Sequence, residues 1–400
     1  MRALDRLSIG ALLLLAAQPI LPLPIAASAV VILAVVQLAR AIQEHLVPER
    51  RDLLLVAALA LPFVLLAIAS LVASDHSAAW AVAERTASLA VLPICLLLMP
   101  APPVGRTLVL DVFSIAAVCL GLYANVGVAW DDAQLFTATA RDYREAFATR
   151  TGIHAVYAAY YFFVAALIQL HAARERRSTL RWSACAFLLL CGLLLASRMP
   201  IIAFACAAPV ILFRERSSGA AKRAALIALA LLVLSGALLP SVRERMHEAW
   251  TTAAEIPSSV GLNSVSERIA LLHCSVDLLE EHVWFGMGPY RVRAAMDDCL
   301  RPIVNGVLAD GHHGPHMQPL LWWIGLGLPG LLAFVLLFGL SAQRAWRRRD
   351  HLHLAFLLFF LLCCLTEDAL DRQWGVLLFA FLNTWMLVQQ KAPQVDAGPA

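Results

Sequence analysis

The feature that most constrains this chain is a repeated series of apolar runs, each about 20 residues long, the length a helix needs to cross the hydrocarbon of a bilayer. Inside lipid every backbone N–H and C=O must find a partner within its own helix or in a closed barrel. The runs are rich in Leu, Ala, Ile and Val and lack the polar/apolar alternation of barrel strands, so they read as helices. Of 400 residues, 61% are hydrophobic and 15% charged, far more apolar surface than one soluble core uses. The expected class is an all-α polytopic membrane protein.

Windows of about 20 residues place spans near 7–24, 25–41, 52–74, 78–99, 106–125, 151–170, 180–197, 199–213, 222–240, 319–341, 351–367 and 373–390. The expectation is therefore about 12 transmembrane helices: helices 1–9 within 1–240, a large and partly helical loop over 241–318, and helices 10–12 with a tail over 319–400. The first run, from Leu7, has no small-residue cleavage site and is followed at once by a second run. It reads as a retained span, with the mature chain beginning near Met1.

The net charge of +3 implies no nucleic-acid partner, because placement of Lys and Arg matters more than their sum in a membrane protein. The short connections HAARERRSTLR, FRERSSGAAKR and QRAWRRRDH are basic, whereas the turns PLPIAAS and SDHSA contain no Lys or Arg. That asymmetry puts the basic connections and both termini in the cytoplasm. The loops 126–150 and 241–318 then face outward, and the chemistry is expected there.

Within the long loop, Asn263 to His282 reads as a helix. Ser264 and Glu267 suit a capping box, and Val265, Ile269, Leu272, Val276 and Leu279 form an apolar stripe at helical spacing. Gly286, Gly288 and Pro289 end it in a turn. Cys274 and Cys299 are the two of nine cysteines outside the spans, on the oxidising side of this topology, either disulfide-bonded or as isolated thiols.

Several polar groups need a reason. Arg198 stands at the outer junction of two apolar runs, either snorkelling to headgroups or facing a cavity. Arg268 lies near the start of the loop helix, where a cation opposes the macrodipole unless an anion is bound there. Ser264 to Arg268 thus has the form of half a phosphate clamp, beside the alternative of a surface arginine. The segment Asp310-Gly-His-His-Gly-Pro-His316 sets three imidazoles just before a span, where a neutral imidazole serves as a proton acceptor. Asp310, His312, His313 and His316 also suggest a metal site, but Gly314 and Pro315 keep one helix from presenting His312 and His316 on a shared face. Glu84 and Arg85 lie in the fourth span, point about 100° apart, and are expected to pair across helices instead. Arg141, Arg144, Arg150 and His154 add positive charge to the outer face. Glu367, Asp368, Asp371 and Arg372 read mainly as solvated charge capping the last hairpin.

Three separated pieces resemble the O-antigen ligase family and its relatives, the O-antigen polymerases and periplasmic oligosaccharyltransferases. They are SRMP at Ser197, SERIALLHCSVDLLEEHVWFGMGP, and HMQPLLWWIGLGLPG from His316. The family pattern is a basic residue after Ser at an outer junction, an Arg opening a loop helix that ends in Gly-x-Gly, and a His four residues before a Leu that precedes Gly-x-x-Gly. Here these are Arg198, Arg268 with Gly286 and Gly288, and His316 with Leu320, Gly327 and Gly330. Met317 stands where the family commonly has Asn or Ser, with His312 and His313 close upstream, so His313 is kept as an alternative or supporting base.

The resemblance implies an inner-membrane enzyme working at the periplasmic face, with a donor glycan on undecaprenyl diphosphate and lipid A-core as acceptor. On this reading Arg198 and Arg268 bind the diphosphate, and His316 is the general base of a single inverting displacement. Arg291, Arg144, Arg150, Arg85 and Glu367 are supporting candidates. No metal and no cofactor are expected, membrane lipids surround the chain, and a monomer is expected. A polymerase or a protein oligosaccharyltransferase is the near alternative. A lipid-linked oligosaccharide flippase or a solute transporter is the alternative of another class, but should carry its ionisable residues near mid-bilayer.

Overall fold

The computed structural model describes residues 3–44, 50–99, 101–131, 140–176, 178–212, 264–303 and 314–388, and the described residues are helical with short turns. Six helices are long and apolar enough to cross a membrane: Leu23–Glu44, Asp52–Leu71, His76–Leu98, Arg106–Trp130, Ala155–Glu175 and Leu328–Arg347. Shorter apolar helices span Thr179–Leu194, Arg198–Leu212, His351–Cys364 and Gln373–Leu387, giving the pattern of a polytopic membrane protein. The expected span at 222–240 lies outside the described residues.

In chain order the helices are α1 (Ala3–Ala16), α2 (Leu23–Glu44), α3 (Arg50–Leu71), α4 (His76–Thr86) and α5 (Ser88–Pro93), the last running into a π turn at Ile94–Leu98. Then come α6 (Arg106–Asp131), α7 (Ala140–Thr151), α8 (Ala155–Arg176), α9 (Thr179–Leu194) and α10 (Arg198–Leu212). After the interval, α11 (Ser264–His282) and α12 (Val292–Ile303) precede α13 (Gln318–Leu326), α14 (Leu328–Arg347), α15 (His351–Cys364) and α16 (Gln373–Leu387).

Helix α2 shows how the apolar runs are used. It buries Ala26, Ala29, Val30 and Leu33 and exposes Val31, Val35, Leu38 and Ile42 on its other side. A helix apolar all round is at home only where its outer face meets lipid. Helices α8 and α16 form the middle of the bundle, with Ala158 to Ile168 and Val376 to Leu387 almost wholly buried. Tyr160, Phe163, Phe359, Phe360 and Phe379 interlock there as edge-on and tilted rings, with Tyr160 and Phe360 centroids 5.7 Å apart.

The two ends of the bundle differ. At one end, basic residues of the short connections meet acidic partners: Arg106 with Asp350, Arg344 with Asp52 at 2.9 Å, and Arg181 with Asp111 at 2.7 Å. Asp350 also caps α15 by accepting from the His353 amide at 3.0 Å. The other end carries the turn between α15 and α16 and the hairpin of α11 and α12.

The expected span over 319–341 is broken. Gly327, at φ 72°, separates α13 from α14, and Leu328 N donates to Val283 O of the loop at 2.9 Å. A Cβ on Gly327 would stand 2.3 Å from Trp284 O, and one on Gly286 (φ 68°) 2.5 Å from the Gly325 carbonyl carbon. Met287 N and Gly288 N close the contact by donating to Ile324 O at 2.9 Å and Gly325 O at 3.0 Å. Backbone thus packs on backbone, which only glycine at these positions permits, and the loop hairpin is pinned to the membrane helices.

The loop helix forms as expected, but its apolar stripe faces the other way. Ile269, Leu272 and Val276 are exposed, while Ala270, Leu271, Cys274 and Ser275 are buried. The buried face packs on α12, and Cys274 and Cys299 form a disulfide across the pair. The Ser264 and Glu267 side chains of the expected capping box lie outside the described residues.

Candidate active site

The site is built around the turn between α15 and α16. Leu365 and Glu367 amides close the end of α15 on Leu361 O and Cys363 O, and Leu370 N donates to the side chain of buried Gln318 at 2.7 Å. That last bond brings Gln318, and with it the Gly314 to Met317 strap, against residues 367–371. His316 takes φ 49°, a left-handed conformation costly for any residue with a Cβ, so the surrounding contacts fix it.

Glu367 is the meeting point. Its Oε2 lies 3.4 Å from His316 Nδ1 and its Oε1 3.1 Å from Arg268 Nη2 of the loop helix. Four residues on, Asp371 Oδ2 lies 2.5 Å from Arg293 Nη2 of α12 and 3.8 Å from Arg85 Nη1 of α4. Two arginines of one disulfide-linked hairpin therefore reach two acids of one turn. Asp368, between those acids, is 8% exposed, and its Oδ1 has no hydrogen-bond partner among the described residues.

The electrostatics follow from that packing. Burial, reinforced by Asp371, pushes the Asp368 carboxyl up to about 6. The Glu367 contact raises His316 above an ordinary imidazole, burial opposes it, and the charges of Asp368 and Glu367 outweigh that of Arg268. Burial and the nearby Arg144 lower His154, which feels Glu367 from the start of α8.

Arg198 reaches the same end by another route. Arg174 of α8 donates to Ile211 O of α10, and the rings of Phe163 and Phe204 lie 5.4 Å apart, so α8 and α10 run in the same direction. Arg198 and Tyr157, each six residues before those rings, therefore stand at the same level. Tyr157 in turn approaches Gly375 at the start of α16, where a Cβ would lie 3.1 Å from its ring. Arg198 is half-buried at the site end of the bundle.

The other candidates divide. Arg85 and Glu367 belong to the cluster. Arg85 pairs across helices as expected, with Asp371, whereas Glu84 is exposed and has no such partner among the described residues. Arg150 lies over the Tyr123 ring at 5.2 Å and against Gly127, bracing α7 on α6. Arg291 bonds Tyr290 Oη at 3.0 Å and Ser74 Oγ at 3.1 Å, at the turn between α3 and α4. Arg144 is placed in α7, near enough to His154 to lower it. Asp310, His312 and His313 lie outside the described residues, as does the Arg141 side chain. Asp368 and Asp371 are a correction: both are buried rather than solvated. Arg293 was not singled out by its sequence context. The available signal was three acids within five residues between two apolar runs, which call for cations from elsewhere.

Residues 183–335 match the sequence model of the O-antigen ligase family. Over that stretch the chain is similar to an O-antigen ligase domain. No curated protein matches the chain. The matched stretch contains Arg198, Arg268, Arg293 and His316, while the acids that face them, Glu367, Asp368 and Asp371, lie beyond it. The family whose model matches this stretch is that of the O-antigen ligases. The cluster in this chain suits ligase chemistry, with arginines for an anionic leaving group and an imidazole held by a carboxylate.

Proposed function

We propose that the protein is an O-antigen ligase that moves a glycan from undecaprenyl diphosphate to a sugar hydroxyl of lipid A-core at the periplasmic face of the inner membrane, without a metal. The observation that carries the reading is the convergence of Arg268, Glu367 and His316 in one contact chain. The Cys274–Cys299 disulfide, at the same end of the molecule, supports placing that end in an oxidising compartment. The Lys/Arg-rich connections at the opposite end support the same orientation. Ten apolar helices among the described residues, with α1 beside them, support a count near the expected 12.

In this reading Arg268 and Arg198 bind the diphosphate by charge-assisted hydrogen bonds that strengthen as the leaving group gains charge. With its Nδ1 proton turned to Glu367, His316 offers the Nε2 lone pair. The acceptor oxygen attacks the anomeric carbon and its proton passes to His316. The bond from that carbon to the diphosphate oxygen breaks, the electron pair leaves with undecaprenyl diphosphate, and configuration inverts. His313 stays the alternative base.

The acceptor is tested by giving the purified protein one lipid-linked glycan with either lipid A-core or a second lipid-linked glycan. Transfer to lipid A-core alone supports the ligase. Elongation of the lipid-linked glycan alone replaces it with the polymerase reading.

A further inference from the structure

Glu367 holds two partners with one carboxylate. Its 3.1 Å contact with Arg268 is a good charge-assisted bond, whereas 3.4 Å to His316 Nδ1 exceeds the 2.7–3.2 Å usual for N–H···O. Without substrate, therefore, the carboxylate is shared, with the shorter contact to the arginine. Under the proposed function, that arginine is the one that binds the donor diphosphate.

We propose that Glu367 is a positioning residue that couples donor binding to the general base: a diphosphate captured by Arg268 displaces Glu367 from the guanidinium and leaves the carboxylate to His316. A phosphate oxygen is a strong, multidentate partner for a guanidinium, and the exchange leaves Glu367 no unpaired charge because His316 is within reach. Two effects on the imidazole then have one sign. The Arg268 charge that opposes its protonation is neutralised by the donor, and the Glu367 contact that favours protonation tightens. The base becomes oriented and stronger only after the donor is in place, so the donor binds first and the acceptor second.

The charged groups around this exchange are Arg268 of α11, Arg293 of α12, Arg85 of α4, and Asp368, Asp371 and Arg372 of the turn. His154, just before α8, and Tyr157, in its first turn, also feel Glu367. Arg293 and Arg85 are held by Asp371, and among the described residues Arg268 is the cation seen to share the Glu367 carboxylate with His316.

This inference rests on the transferase reading, so it is tested by binding as well as by turnover. Undecaprenyl diphosphate is titrated calorimetrically into the detergent-solubilised full chain near pH 7, in two buffers of different ionisation enthalpy, which gives protons exchanged on binding. A ligand that raises the proton affinity of a partly neutral His316 draws in a fraction of a proton, at most one. Wild type is expected to take up more protons than either Glu367→Gln or His316→Gln, with both variants still binding. Equal proton exchange in all three overturns the coupling whether or not the protein transfers glycan. In turnover, the acid limb of kcat/KM for the acceptor at saturating donor is expected at higher pH than that of kcat/KM for the donor. Glu367→Gln closes that gap, and a gap that survives the substitution also overturns it.

Discussion

Gly314 is what lets Asp368 lie beneath the His316 strap: a Cβ at position 314 would stand 2.2 Å from Asp368 Oδ2. The acid is buried, so it has little room to withdraw. Gly314→Ala is expected to displace the strap or the acid and to lower transfer about tenfold or more, since small misplacements of catalytic groups are costly. Gly339→Ala, where no atom lies within 4 Å of the new Cβ, should leave the rate unchanged. A steady-state assay of the two variants beside wild type checks the contrast.

The pH dependence has a defined sign. As the proposed base, His316 can accept a proton only when neutral, and its proton affinity is raised by the Glu367 contact and by the Asp368 charge, with burial opposing. The rate should therefore rise with pH through a midpoint above that of an ordinary imidazole. Burial pushes the Asp368 carboxyl up to about 6, so its charge beside the ring grows as the pH rises through that range. Asp368→Asn removes that charge and should move the acid limb to lower pH. A limb that stays in place would show that Asp368 does not act on His316.

The contact between the loop hairpin and the broken span gives a stability prediction. Gly286 and Gly327 have positive φ, and a methyl added to either would stand 2.5 Å or less from facing backbone. Gly286→Ala should destabilise the protein by about 2 kcal/mol or more, from overpacking and left-handed strain together. Thermal unfolding in detergent, followed by tryptophan fluorescence, should show a lower midpoint. Activity should fall with it, because Arg268 is carried by the same hairpin.

The disulfide joins the two helices that deliver Arg268 and Arg293, each six residues before its cysteine. Replacing both cysteines by Ser should loosen the reach of Arg268 toward Glu367 and the donor. The expected result is a severalfold rise in KM for the donor with a smaller change in kcat. Initial rates over a donor series separate these two constants.

Much of this was legible in the sequence because a membrane helix must satisfy its own backbone, so Leu23–Glu44 or Ala155–Arg176 betray themselves by composition. The need of Arg268 for a partner was legible because a cation opposes the macrodipole at a helix start, and His316 stood out as an imidazole just before a span. What was not legible depends on contacts across the bundle. Asp371 reads as loop charge until Arg293 and Arg85 are seen to enclose it, and Gly314 reads as a turn residue until Asp368 is seen behind it. The stripe at Ile269, Leu272 and Val276 misled because a disulfide and the small residues Ala270 and Ser275 favour a close packed face, leaving the larger side chains outside. The break at Gly327 was hidden within a continuous apolar run, since a loop backbone fills the gap.

The proposed metal-free, His316-dependent transfer is tested with purified protein in EDTA, from an undecaprenyl-diphosphate glycan to lipid A-core, comparing wild type with His316→Ala and Arg268→Ala. Wild type is expected to work in EDTA, and His316→Ala to lose about 10²–10⁴-fold in kcat, the usual contribution of a general base. Arg268→Ala is expected to lose both donor affinity and rate. Full activity of the His316→Ala protein, or a wild-type activity abolished by EDTA and restored by a divalent ion, would contradict the proposed mechanism.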